Sequence, residues 1–179
     1  MSVIVGRRGN GSQSPDRRAV RTHRALLQAF IDLMLERSYR SVTIADIVGR
    51  ADVGRSTFYE HFRDKDSILL TSMGWMFTIL ADAVGEDTPR APLDQLVAHF
   101  WANRSLARTV LTPPVQPKLA RALTKVLEER IAAGNPASRK LRAVGIAAAQ
   151  LGILEAWTRG ELSASPAEVT DALLEIARA

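Results

Sequence analysis

The chain reads as an all-α protein, a three-helix head on a helical body with about nine helices in all, and three observations predict it. Apolar residues recur at three- and four-residue spacing in nearly every segment, as one face of a helix requires. Ser14-Pro15, Asn135-Pro136 and Ser165-Pro166 are cap-plus-proline starts. In each, a side-chain oxygen accepts from an orphan N–H, and proline sits at the first helical position, where its missing N–H is not needed. No segment alternates apolar and polar residues over a strand's length, and no internal repeat is present.

Composition sets outer bounds. With 179 residues and 46% hydrophobic content, a chain of this size buries roughly 70% of its unfolded surface. The absence of Cys excludes disulfides, thiolate metal sites and Cys nucleophiles and fits a reducing cytoplasm. No apolar run approaches a bilayer span, and Met1 to Asn10 lack a signal-peptide core, so a soluble cytoplasmic protein without membrane contact is expected. The net charge of +5 lies entirely in the first third: residues 1–65 carry 12 Lys and Arg against 7 Asp and Glu, and residues 66–179 carry 12 against 12. An excess of this sign suits either a polyanionic partner or a solvated basic face.

Taken in order, residues 1–13 form a flexible basic arm, with Arg7 and Arg8 free to touch phosphates or a minor groove. The first helix starts at Ser14-Pro15-Asp16 and runs to about Arg37, with Leu26, Leu27, Phe30, Ile31, Met34 and Leu35 at helical spacing. Residues 38–42 read as short and extended. Thr43-Ile44-Ala45-Asp46 is a capping pattern that opens a second helix to Arg50. Asp52 tolerates a left-handed backbone and Gly54 serves as a modest N-cap, so Arg55 to Phe62 forms a third helix. Two short helices on a tight turn make a helix-turn-helix, whose second helix presents its leading residues, here Arg55, Ser56 and Thr57, to base edges. Phe58 and Phe62, at i and i+4, belong to the core.

Asp64 caps a fourth helix that continues through Ile68, Leu69, Trp75, Met76, Ile79 and Leu80 until Gly85. After a linker at Glu86 to Pro92, Leu93 to Phe100 and Ser105 to Leu111 mark two more helices. Lys118 to Ala133 is another, closed by Gly134. The helix from Ala137 to Arg159 is apolar nearly all round in its middle and must be covered on several sides; Gly160 ends it, and Ser165-Pro166-Ala167-Glu168 caps the last. The divisions expected are an arm at 1–13, a helix-turn-helix head at 14–63 and a helical body at 64–179, which the resemblance set out below makes a ligand-binding and dimerisation domain.

Enzymatic chemistry finds little material. His23, His61 and His99 are far apart, without metal-ligand spacing, phosphate loop or nucleophile motif, so no catalytic residue, metal ligand or cofactor is expected.

Residues 41–66 carry a denser pattern: Ser41-Val42-Thr43-Ile44-Ala45-Asp46-Ile47, then Ala51-Asp52-Val53-Gly54-Arg55-Ser56-Thr57-Phe58-Tyr59-Glu60-His61-Phe62, then Asp64-Lys65-Asp66. This resembles the DNA-binding signature of the TetR family over about residues 15–70, departing from it at Asp52, where the family has Gly, and at Gly54, where it has a Ser cap. The resemblance implies a repressor that binds double-stranded DNA at a palindromic operator and is released by a small-molecule effector. An architectural DNA-binding protein without effector is the alternative. By the resemblance, Tyr59 and His61 contact phosphate or bases, Thr43 a phosphate, and Lys65 a phosphate at the start of the fourth helix, so that Lys65→Ala would lower the salt slope by about one. It also implies a homodimer through the last two helices, about 137–159 and 166–177, with Trp157 assigned to that interface. The effector pocket would be walled by Trp75, Met76, His99, Trp101 and Arg104, aromatic surface with a polar anchor.

Overall fold

The computed structural model describes residues 15–179. The arm with Arg7 and Arg8, and the Ser14 cap, lie outside the described residues. Ten helices and no strand occur among them: α1 (Pro15–Glu36), α2 (Ile44–Ala51), α3 (Arg55–His61), α4 (Lys65–Ser72), α5 (Gly74–Asp82), α6 (Ala91–Ala102), α7 (Arg104–Val110), α8 (Gln116–Arg130), α9 (Pro136–Arg159) and α10 (Pro166–Arg178). No described helix is long and apolar enough to cross a membrane.

The count exceeds the expected nine because the fourth helix kinks at Met73. The Ser72 hydroxyl donates to Leu69 O at 2.7 Å, competing for a helix carbonyl, and Gly74 follows; a Ser and Gly pair is a common cause of a sharp bend. Two other local expectations are corrected. Residues 38–41 form a turn closed by Ser41 N–H on Ser38 O at 3.0 Å, which buries Tyr39 and Val42, where an extended segment would have turned them to opposite sides. α8 ends at Arg130, earlier than Gly134, because Ile131 turns extended to bury its side chain while Arg130 pairs with Asp82 at 2.7 Å.

The caps follow the sequence. Asn135 Oδ1 accepts from Ser138 N, Ser165 and Glu168 close a capping box, and Asp64 Oδ1 accepts from Ser67 N at 2.7 Å. Gly160 ends α9 at φ 81, a left-handed conformation that favours glycine.

The head packs α1 across α2, with α3 on α2, and α1 also rests on α4 and α7. In the body α9 is central, lying against α8, α10, α7 and α6, while α5 packs on α8 and α6 on α10. The nearly all-round apolar character of α9 has this origin: Ile146, Ala147, Leu151 and Leu154 are buried by different neighbours. Gln150 is fully buried there, and its amide donates to Leu80 O at 3.2 Å.

Trp157 does not lie at a surface. It is 1% exposed, its Nε1–H donates to Ala164 O at 2.8 Å, and its ring stacks on Trp101 at 4.7 Å. Its assignment to a subunit interface is therefore corrected: the core of the protomer uses it completely.

Candidate nucleic-acid interface

The site begins with the geometry of α2. Thr43 is its N-cap; the hydroxyl accepts from Asp46 N at 3.2 Å and donates to Asp46 Oδ2 at 2.6 Å, and Asp46 in turn accepts from Thr43 N at 2.8 Å. Both side chains are thus engaged with the helix start, and Arg37 adds an ion pair to Asp46 at 3.1 Å. The far end of α2 is fixed to α1 by Arg50, which meets both oxygens of Glu36 at 2.8 Å. Asp52 adopts φ 53, ψ 49, as expected where glycine is absent, and Gly54 precedes α3 in an extended conformation without a side-chain cap.

α3 has two unlike faces. Phe58 and Phe62 are buried, with ring centroids 5.7 Å apart, and His23 of α1 stacks on Phe62 at 4.8 Å, so the helix is pinned through its aromatic side. Arg55, Ser56 and Tyr59 are exposed on the other side, with the Arg55 guanidinium 6.0 Å from the Tyr59 ring centroid. Arg55 makes no ion pair among the described residues, so its fork of donors is available to a partner.

The remaining sequence candidates are dispersed. Thr57 and His61 turn toward α1 and line a cleft of about 800 Å³ with Arg18 and Thr22. His61 lies 5.6 Å from His23, and the His23 pKa is lowered by burial and by that neighbour. Sequence reasoning passed over Arg18 and Thr22; the available signal was Arg21 standing about one turn from Arg17 and Arg18 in a helix that otherwise supplies core.

Lys65 points inward. Its ammonium donates to Tyr39 O and Val42 O, both at 2.7 Å, and lies 4.2 Å from the Tyr39 ring centroid. Two of three N–H groups are committed to holding the α1–α2 turn, and burial lowers the pKa of the group. Beside it the Tyr39 hydroxyl donates to Asp66 Oδ1, and Lys118 at the start of α8 reaches both Asp66 oxygens at 2.6 Å. The turn of the head, the start of α4 and the start of α8 therefore meet at one charged knot.

Burial alone would raise the Asp66 pKa, but the hydrogen bonds from Lys118 and Tyr39 outweigh it and hold the carboxyl below its ordinary value. A carboxyl depressed in the folded state contributes stability above its unfolded pKa and loses it as pH falls through the folded one. Asp66→Asn is expected to cost about 1–2 kcal/mol at pH 7, since charge-assisted bonds are lost from a half-exposed site. Urea unfolding at pH 7 and pH 3 checks this: the gap between variant and parent should narrow at pH 3, and an equal gap at both would contradict the assignment.

Of the five pocket candidates, two lie together. Met76 and His99 line a small apolar pocket of about 40 Å³, open to the surface beside His99 and Asn103, with Met73 and Phe100. Trp75, Trp101 and Arg104 do not line it: Trp75 is exposed and meets His99 edge-on at 5.2 Å, and Arg104 lies over the exposed Trp101 at 5.2 Å. The pocket composition expected from the resemblance, aromatic walls with a polar anchor, named their residue types but not the face that lines this pocket.

The arrangement defines a helix-turn-helix protein with a helical body. The match to known proteins is consistent with this: residues 26–71 fit the family model described as bacterial regulatory proteins, tetR family. Over these residues the head is similar to the DNA-binding domain of that family. An uncharacterized HTH-type transcriptional regulator of Bacillus subtilis, YxbF, is 44% identical over 57 residues, which are 31% of this chain and 15% of YxbF. The transcriptional regulator AcuR of Cereibacter sphaeroides is 32% identical over 93 residues, 50% of this chain and 42% of AcuR. The matched segments thus span less than half of these curated relatives.

Among solved structures, a TetR transcriptional regulator from Streptococcus agalactiae superposes with a TM-score of 0.60 at 24% identity, covering 90% of this chain and 96% of the other. A TetR-family regulator from Streptomyces coelicolor does so with 0.62 at 18% identity, covering 97% of each. These likenesses show that the body shares the fold of such regulators.

Proposed function

We propose that this protein is a dimeric transcriptional repressor that binds a palindromic operator through α3 and is released by a small-molecule effector. The observation that carries the reading is the split of α3, whose aromatic side is locked into the head while Arg55, Ser56 and Tyr59 stand exposed at its leading end. Selection of bound sequences from a random duplex pool at two salt concentrations tests it. Enrichment of a palindrome with half-sites about one helical turn apart is expected. Binding without enrichment that falls steeply with salt would leave the architectural alternative.

Dimerisation is supported by α9. Leu141 is 76% exposed and Val144 49%, and Gly145 and Ala148 continue the same exposed stripe. An added Cβ at Gly145 or Gly152 would meet nothing within 4 Å, so the protomer gives no packing reason for either glycine. Glycine inside a helix costs about 1 kcal/mol relative to alanine, and close approach of a symmetry mate accounts for tolerating it. Leu141→Glu is expected to convert a dimer at micromolar concentration into a monomer by sedimentation, and an unchanged dimer would place the interface elsewhere.

The effector reading is supported by two small apolar pockets. The 40 Å³ cavity is far below the roughly 300–1,000 Å³ of small-molecule sites, so a ligand there must displace its walls. Met73, at the kink, lines both this cavity and a second void of about 10 Å³ that reaches Phe30 and Met34 of α1. Expansion against Met73 would therefore press on the helix that carries the head, which is how occupancy would change its position.

A further inference from the structure

We propose that the outer groove between α4, α5 and α8 binds a phosphate ester carrying an apolar body. The groove is an open one of about 500 Å³, within the range of small-molecule sites, and shares no lining residue with the small apolar pocket. Its floor is apolar, formed by Leu70, Phe77 and Val126, and its rim is cationic, formed by Arg63, Lys118, Arg121 and Lys125. Asp66, the one carboxylate lining it among the described residues, is already taken by Lys118 at 2.6 Å.

The charges on the rim are unbalanced. Arg121 and Lys125 are exposed and make no ion pair among the described residues. Arg63 reaches only Asp64, at 3.1 Å and with its own side chain 90% exposed, a pairing worth little. Lys118, Arg121 and Lys125 lie at i, i+3 and i+7 along one side of α8, and like charges one turn apart repel. An anion laid along this side removes that repulsion. Two guanidinium forks and an ammonium match a phosphate, with its double charge, better than a carboxylate.

The apolar floor and the length favour a small molecule. Seven residues of α-helix rise only about 10 Å, and a nucleic-acid backbone would gain nothing from Leu70, Phe77 and Val126. The site stands whether or not the head reads a palindrome, because its occupancy is measured directly.

The test is calorimetric titration of the full chain at low salt with octyl phosphate, inorganic phosphate and octyl glucoside. Octyl phosphate should bind at least about tenfold more tightly than either other probe, since only it engages both rim and floor. The exposed double variant Arg121→Gln/Lys125→Gln should lose at least about tenfold of that affinity with its unfolding temperature unchanged. Equal binding of octyl phosphate and inorganic phosphate, or full retention of octyl phosphate binding by the double variant, would overturn the proposal. So would a loss of duplex DNA affinity in the double variant without any binding of octyl phosphate, which would assign these cations to DNA.

Discussion

Trp157→Ala is expected to lower the unfolding free energy by about 3–5 kcal/mol, the range for removing a large buried aromatic side chain. Three losses combine. The ring is 1% exposed, so its removal opens a cavity at the end of α9. Its stack on Trp101 at 4.7 Å disappears, leaving that half-exposed indole without its partner, and aromatic pairs add about 0.5–1.5 kcal/mol beyond burial. Its Nε1–H no longer reaches Ala164 O, which stands in the link between α9 and α10. Because that link sets how α10 follows α9, the proposed dimer should weaken with the protomer. Trp157→Phe keeps a ring in place but not the donor, and should recover the larger part of the loss. Denaturant unfolding of the three proteins checks the series; a cost under about 1 kcal/mol for the alanine variant would mean that the site collapses around the gap.

Arg55→Ala is expected to reduce affinity for a selected operator by about 5- to 150-fold per half-site, the equivalent of one bidentate arginine–guanine pair at 1–3 kcal/mol. Random duplex should lose much less, since the variant gives up a single cation per protomer. The guanidinium is exposed, makes no ion pair among the described residues, and lies 6.0 Å from the Tyr59 ring centroid. Equal losses on operator and random duplex would assign Arg55 to a phosphate. Lys65→Ala makes a useful contrast. With two N–H groups on Tyr39 O and Val42 O, its removal should loosen the α1–α2 turn, so a fall in stability is expected to accompany any change in salt dependence.

Several features were legible in the sequence because the interactions behind them are local. The caps at Thr43, Asp64, Asn135 and Ser165 involve groups within four residues of one another, and each appears where residue type and spacing predict it. Asp52 takes the left-handed conformation because the turn needs one and Asp is among the few side chains that tolerate it. Phe58 is buried on the apolar side of α3, and Phe62, the extended C-cap four residues on, is buried beside it.

Other features belonged to the tertiary structure, because periodicity names an apolar face without saying what covers it. Trp101 read as a pocket wall and Trp157 as an interface residue; only the packing of α6 against α9 shows that they cover each other. Trp75 and Arg104 read as pocket walls, yet the kink at Met73 and the break at Asn103 leave both outside the cavity that Met76 and His99 share. Tyr39, Lys65, Asp66 and Lys118 come from three separate stretches of chain, and their pairing follows from distances that close only when α8 lies beside α4. The sequence by itself determined the helix caps and the exposure of Arg55 and Ser56 at the start of α3, all governed by neighbours along the chain, but neither the break at Met73 nor the end of α8. The charged knot, the small cavity and the basic outer groove were decided by tertiary packing, since each is made of side chains that meet only across helices.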